Sequence, residues 1–283
     1  MNSALPARRA AVLGSPVGHS KSPALHRAAY AALGLDGWSY DAIETTADRL
    51  AQTVGGAGSE WIGYSVTMPC KSAALAFADT VTDRAELIGS ANTLVRSGDG
   101  WLADCTDVDG VTGALAQIGI TQAGITQQPT RAVLIGAGGT ARPALAALAA
   151  AGVSDVVVVA RDAGRAAGVL ELAERLSVRA QVIDFAPSSD LWSACSSADV
   201  TVSTVPASAA EALAPSVAAA SRLVDVIYDP WPTPLAAAVA EAGGAVVGGL
   251  VMLLNQAYSQ VEQFTGRPAP KAAMAAAVGI DLS

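Results

Sequence analysis

Short apolar runs alternate with longer amphipathic ones along most of the chain, the rhythm of buried strands and half-buried helices. Ala10 to Gly14 reads as a buried strand. Ser22-Pro23 then opens a helix, with Ser22 as N-cap and Pro23 as the first helical residue. Leu25, Ala28, Ala29 and Ala32 form its apolar face, and Gly34 ends it. Trp38 to Ile43 and Trp61 to Thr67 read as strands, Asp83 to Ile88 as a short helix, and Ala91 to Val95 as a strand. Up to this point the pattern is that of a small α/β unit.

Asp109 to Ile118 looks helical, and Thr121 to Thr130 is a Gln/Thr/Pro-rich stretch without hydrophobic period, the most linker-like segment of the chain. The rhythm then becomes regular. Arg131 to Ile135, Asp155 to Val159, Ala180 to Ile183, Val200 to Ser203, Leu223 to Ile227 and Ala245 to Val247 read as strands. Thr140 to Ala151 and Ala163 to Leu176 are the first two intervening helices. Such alternation predicts a doubly wound, Rossmann-type parallel sheet. Leu250, Leu253, Leu254, Ala257, Val261 and Phe264 fall on one face of a long C-terminal helix, and Pro268 and Pro270 separate it from a last short one.

Composition narrows the functional classes. Hydrophobic residues make up 52% and charged residues 15% of 283, enough for two modest domains. The formal net charge of -8 argues against nucleic acid or an anionic membrane as partner. An anionic ligand must then be held by a few placed Lys, Arg or backbone N–H groups. Cys70, Cys105 and Cys195 share no metal-ligand spacing and make a poor disulfide framework. With only His19 and His26 present, a histidine metal site is not expected. No stretch reads as a signal peptide or membrane span, so a cytoplasmic protein is expected.

Gly136-Ala137-Gly138-Gly139-Thr140-Ala141 follows a predicted strand and opens a predicted helix. Gly136 permits the tight turn, Gly138 lets the backbone approach a pyrophosphate, and the small Ala141 lets the helix pack on the strand. The helix N-terminus turns its N–H groups toward the phosphates. The pattern predicts a dinucleotide site; read blandly, it is a glycine-rich tight turn with no ligand. Where NAD-binding folds place an acid at the end of the second strand, this chain has Arg161, with Arg165 one turn later. Two guanidinium groups there suit a 2′-phosphate and favour NADP over NAD. Read blandly, they are two solvated surface arginines. Asp162 between them repels a phosphate unless it caps the following helix.

Four polar stretches exceed what a core needs: Gly18 to Pro23, Ser65 to Lys71, Ser90 to Thr93, and Asp104 to Asp107. With Tyr228-Asp229-Pro230, Thr233-Pro234-Leu235 and the Gly249 to Gln256 segment, they resemble shikimate dehydrogenases in motif, order and approximate spacing over nearly the whole chain. The resemblance implies reversible NADPH-dependent reduction of 3-dehydroshikimate to shikimate, in the route to chorismate and the aromatic amino acids. It implies that Ser20 and Ser22 hold the substrate carboxylate, and that Thr67, Asn92 and Asp107 hold ring hydroxyls. Gln256 closes the site, Tyr228 lies near the nicotinamide, and Lys71 and Asp107 are the catalytic pair. Gly249 joins the cofactor set.

The same resemblance implies a substrate lobe, residues 1–107 completed by 249–283, a cofactor lobe, 108–248, and an active site in the cleft between them. Members occur as monomers and homodimers. Four positions depart from the family pattern: Ala160 and Asp162 stand where asparagine and threonine are common, which counts against NADP, and Ser65 and Cys105 stand where asparagine is usual. Serine is shorter, so a hydrogen bond is lost or bridged by water there. Cys105 is either a reactive thiol or a weakly polar buried one. The rival functions are an NAD-using quinate/shikimate dehydrogenase and a non-catalytic binding homologue.

Overall fold

The structure, a computed structural model, describes residues 7–121 and 130–281. In chain order the N-terminal elements are β1 (Arg8–Gly14), α1 (Ser22–Ala32), β2 (Trp38–Glu44), α2 (Leu50–Gly55) and β3 (Trp61–Val66). Then come α3 (Lys71–Phe77), β4 (Thr80–Val81), α4 (Asp83–Ile88), β5 (Thr93–Ser97) and β6 (Gly100–Asp104). The middle of the chain contributes α5 (Asp107–Gln117), β7 (Thr130–Ile135), α6 (Ala141–Ala150), β8 (Val153–Ala160), α7 (Ala163–Arg175) and β9 (Arg179–Asp184). It continues with α8 (Ser189–Ser197), β10 (Val200–Ser203), α9 (Ala207–Ala210), α10 (Ala214–Val217), β11 (Arg222–Asp225), α11 (Pro234–Glu241) and β12 (Ala245–Val247). The helices α12 (Gly249–Thr265) and α13 (Lys271–Ala276) end it. The chain divides into two units: Met1–Thr106 with Leu253–Ser283, and Asp107–Met252. Most of the linker-like stretch, 122–129, lies outside the described residues.

The first unit is built on a six-stranded mixed sheet in the order β2-β1-β3-β5-β6-β4. β1 pairs in parallel with both β2 and β3, whereas β3, β5 and β6 are antiparallel neighbours. Strand β1 is buried from Ala10 onward, as a strand flanked on both sides and covered on both faces must be. One face packs on α1, α12 and α13 through Val12, Leu25, Ala29, Tyr40, Leu254 and Val261. The other packs on Leu50, Val54 and Ala74 of α2 and α3.

The predicted stripe of α1 is corrected by rotation about its axis. Lys21 is the N-cap residue, no side chain caps the helix, and Ser22 is its first residue. The buried set is Ser22, Leu25, His26, Ala29 and Tyr30, while Ala32 is exposed. His26 draws the helix round: its ring stacks on Tyr40 at 4.0 Å between centroids and approaches Phe264 at 5.7 Å. Aromatic burial outweighs that of two alanines.

The second unit is an all-parallel sheet in the order β12-β11-β10-β7-β8-β9. Starting from β7, this is the doubly wound order in which the topological switch point lies between β7 and β10. Every residue of β10 is buried and β8 is almost entirely apolar, which a parallel sheet sandwiched by helices requires. No helix of the described residues is long and apolar enough to cross a membrane.

Burial lowers the His26 pKa to about 4, although its Nδ1 meets the Ser22 carbonyl at 3.0 Å. The unfolded chain therefore takes up a proton near pH 6.5 that the folded chain refuses until about pH 4. Stability should fall by of order 3 kcal/mol as pH drops through that window. A His26→Phe variant, which keeps a ring on Tyr40, should lose that slope in urea titrations followed by circular dichroism.

Candidate active site

The antiparallel arrangement of β3, β5 and β6 brings the end of β3, the start of β5 and the end of β6 to the same edge of the sheet. Because β1 runs parallel to β3, its C-terminal end arrives there too. The four polar stretches follow or adjoin these strand ends. Backbone hydrogen bonds lace them together: Thr67 N–H to Leu13 O (2.8 Å), Val66 N–H to Asn92 O (2.7 Å), Ala91 N–H to Lys71 O (3.2 Å) and Asn92 N–H to Asp104 O (3.1 Å).

Ser20 is half-buried and its Oγ accepts from the Ser22 N–H at 3.3 Å, so the two serines form one turn. Thr67 is half-buried at the end of β3. A methyl group on Gly14 would overlap the Thr67 side chain, so glycine in β1 makes room for it. Lys71 is the first residue of α3 and is half-buried. Asn92 and Gln256 are buried and joined directly, Asn92 Nδ2 donating to Gln256 Oε1 at 3.2 Å. Asp107 is buried at the start of α5, in the second unit, one residue after Thr106. The Thr106 N–H donates to Asn92 Oδ1 at 2.7 Å.

Helix α12 supplies a polar seam of which the sequence showed only Gln256. Gln256, Gln260 and Gln263 recur at helical spacing on the face toward the sheet. Gln263 donates to Asp104 Oδ2 (2.7 Å) and Gln260 to Thr93 Oγ1 (2.9 Å). Burial alone raises the Asp104 pKa, but the Arg84 guanidinium, Thr82 and Gln263 outweigh it and hold the carboxyl at about 2. The signal was present as a glutamine on each turn of an otherwise apolar face. Cys105 is fully buried beside this cluster, which leaves its thiol out of solvent.

In the second unit Gly136 closes β7 with φ +108°, the left-handed region where glycine is favoured. A Cβ there would come within 2.6 Å of Thr204 Oγ1 and Val205 Cγ1. The turn is thus pressed against the end of β10, at the switch point. Gly138 and Gly139 differ: their α-carbons face open space and their φ is ordinary. Neither fold nor packing demands glycine at those two positions. Ala137 and Thr140 are half-buried, and Ala141 is fully buried under the turn. No side chain caps α6 and no acid occupies its first turn, so its N–H groups and positive dipole end stay available.

Asp162 caps α7, accepting from the Gly164 N–H at 2.7 Å, and Arg161 and Arg165 are exposed on either side of it. Tyr228 is half-buried in a loop tied at both ends by Asp225, which accepts from the Ile227 N–H (3.1 Å) and Thr233 Oγ1 (2.7 Å). Gly249 starts α12 so close to β11's continuation that a Cβ would overlap the Val226 carbonyl. That packing accounts for its glycine without reference to a ligand.

Three family models match the chain in succession. They are the shikimate dehydrogenase substrate binding domain over residues 12–94, shikimate/quinate 5-dehydrogenase over 120–224, and the shikimate 5'-dehydrogenase C-terminal domain over 249–278. The shikimate dehydrogenase (NADP(+)) of Caulobacter vibrioides is 37% identical over 266 residues, covering 92% of this chain and 90% of that protein. The chain belongs to the shikimate dehydrogenase family. Among solved structures of shikimate dehydrogenases, that from Mycobacterium tuberculosis is 52% identical, with a TM-score of 0.86 over 96% of this chain and 98% of that one. The Thermus thermophilus structure, in complex with NADP(H) and shikimate, is 31% identical with a TM-score of 0.78, covering 95% and 98%.

Against the family pattern, Ser65 is not a gap awaiting a water. Its hydroxyl lies 2.6 Å from both the Tyr40 hydroxyl and Gln260 Oε1. Gly249 gives a prediction for the fold. Gly249→Ala should destabilise the protein by about 1–3 kcal/mol, the usual range for overpacking, because the obstructing atom is backbone. Thermal denaturation of that variant beside an exposed control such as Gly98→Asn, where the left-handed backbone is tolerant of asparagine, checks it.

Proposed function

We propose that the chain catalyses the reversible reduction of 3-dehydroshikimate to shikimate, with NADPH as reductant. The observation that carries this reading is the convergence of Ser20, Ser22, Thr67, Lys71 and Asn92 on one sheet edge, with Gln256 brought to Asn92 from α12. A family relative with shikimate and NADP(H) bound supports it.

The residues present fit a dinucleotide. Two glycines needed for nothing in the protein itself, at an uncapped helix N-terminus, leave room and N–H donors for a pyrophosphate. Asp162 caps α7 through Oδ1, and the two guanidinium groups of Arg161 and Arg165 outnumber its single charge beside a phosphate. The bound cofactor supplies the hydride. The first unit takes the substrate and the second the cofactor.

Ser20 and Ser22 donate hydroxyl protons to the carboxylate of the substrate, and Thr67 and Asn92 hold its ring hydroxyls. As hydride reaches the ketone carbon, charge grows on the oxygen. The Lys71 ammonium stabilises that charge and passes a proton to it, leaving a neutral amine that solvent reprotonates. Asp107 supplies the carboxylate that orients Lys71 and holds a ring hydroxyl. In the oxidative direction the neutral amine takes the hydroxyl proton back.

Purified protein assayed with shikimate and quinate, each against NADP and NAD, should favour shikimate with NADP by a wide margin; no turnover of either acid would defeat the proposal. Lys71→Ala should lower kcat by roughly 10²–10⁴-fold while leaving NADP binding and the circular dichroism spectrum unchanged. A variant with near-normal kcat would remove Lys71 from the chemistry. Replacing Arg161 and Arg165 together by alanine should raise KM for NADP at least about tenfold and leave KM for NAD within about twofold. Equal shifts for both cofactors would show that these arginines do not read the 2′-phosphate.

A further inference from the structure

Gln260 is completely buried on α12, and none of the family's motifs in this chain includes it. Its amide makes three hydrogen bonds. Nε2 donates to the Asn92 carbonyl at 3.2 Å and to Thr93 Oγ1 at 2.9 Å, and Oε1 accepts from Ser65 Oγ at 2.6 Å.

Main-chain groups cannot change roles, and two of them fix the polarity of the whole seam. The Asn92 carbonyl only accepts, so the nitrogen end of Gln260 must face it and the oxygen end must face Ser65. The single proton of Ser65 is therefore spent on Gln260, and the Ser65 oxygen in turn accepts from the Tyr40 hydroxyl at 2.6 Å. At the other end, the Thr106 N–H only donates, so Asn92 turns its oxygen toward it. Thr93 Oγ1, already receiving from Gln260, lies 3.1 Å from the same Asn92 oxygen. Asn92 is held from two sides, at its main-chain carbonyl and at its side-chain oxygen. The Asn92 Nδ2 is thereby turned toward Gln256 Oε1 at 3.2 Å and Thr106 Oγ1 at 3.0 Å.

We infer that Gln260 is a positioning residue for substrate recognition: anchored on Ser65 and Tyr40, it holds Asn92 in one amide orientation, with the nitrogen turned toward Gln256. In this chain Ser65 and Gln260 together do what one longer side chain on β3 would do. Ser65 itself has no proton to offer a ligand. This inference rests on the reading of Asn92 as a substrate-binding residue given above.

The test is a cycle of variants on the full-length enzyme, with KM and kcat for shikimate, KM for NADP, and the thermal midpoint measured for each. Gln260→Ala should raise KM for shikimate about tenfold, with KM for NADP within about twofold and kcat lowered less than KM is raised. Gln260→Glu, close in shape, should do the same, because an oxygen replaces the donor that faces the Asn92 carbonyl. Ser65→Asn alone should also raise KM, since the buried Gln260 fills the space a longer side chain needs. The double variant Ser65→Asn/Gln260→Ala should bring KM for shikimate back to within about threefold of the wild type. A merely structural glutamine would move the thermal midpoint in every variant without that recovery.

An unchanged KM for shikimate in folded Gln260→Ala or Gln260→Glu would overturn the inference, as would strictly additive effects in the double variant. If neither single variant folds, the double variant decides: near-wild-type KM supports the positioning role, and a raised KM ends it. Failure of both Gln260 variants and the double variant to fold would assign Gln260 to stability alone. A wild-type enzyme that neither binds nor turns over shikimate would instead defeat the functional reading, before any variant is made.

Discussion

Polar groups taken out of water must find partners, and in the first unit that constraint governs where the C-terminal helix goes. Ser65, Asn92, Thr93, Asp104 and Thr106 are buried at the ends of strands, where regular ladder partners run out. Left unpaired, each would cost about 1–3 kcal/mol. The glutamines of α12 meet that need from more than 150 residues further along the chain. A helix with a wholly apolar face would bury as much carbon there and leave these groups unsatisfied. The seam therefore fixes both the register of α12 on the sheet and the orientation of the side chains proposed to meet substrate.

The second unit solves a different problem with backbone instead of side chains. Its parallel sheet buries apolar strands on both faces, and polar main-chain groups reach the surface only where strands end and helices begin. At the switch point the Thr204 N–H and hydroxyl both donate to the Ile135 carbonyl, at 2.8 and 3.0 Å, drawing the ends of β7 and β10 together. Gly136 has to be glycine because of that closeness. Gly138 and Gly139 have no such reason, and the contrast separates glycine required by the fold from glycine that leaves space for a ligand.

The alternation of strands and helices in the second unit was legible because each strand is a continuous apolar run, and two of its strands agree with the prediction to the residue: Val200–Ser203 and Ala245–Val247. The first unit was less so. Helices α2 and α3 have six and seven residues, too few for a 3.6-residue period to show, and β6 contains Gly100 and Asp104, which weaken a strand signal. The predicted stripe of α1 left out His26 and Tyr30, which are both buried, His26 stacked on Tyr40 and Tyr30 edge-on to His26 and Trp38. The motif residues of the first unit stood out as polar stretches whose roles only the family resemblance implied, and the structure brings those stretches to one edge. Tyr40 and Gln260 were missed because each looks ordinary alone, and Ser65 and Thr93 were noted without the partners the structure gives them. Only the pairing of β3 with β5, and the docking of a distant helix on both, makes them one chain of hydrogen bonds.

Electrostatics in the cofactor unit follow the same local logic. A protein of net charge -8 is a poor field in which to bind a ligand carrying several phosphate charges. Screening in physiological salt reduces that field beyond about 8 Å, so what matters is the sign of the few groups within reach. Around α6 these are helix N–H groups with no acid in the first turn. After β8 they are two exposed arginines, while the intervening carboxylate points its Oδ1 at the backbone of its own helix. Capping α7 thus does two things with one side chain. It stabilises the helix by about 1 kcal/mol, and it holds one carboxylate oxygen against a backbone N–H. Alanine at position 162 would lose the cap, and a lysine would lose it while adding charge. Aspartate between two arginines is compatible with phosphate recognition because the three groups together keep a net positive charge.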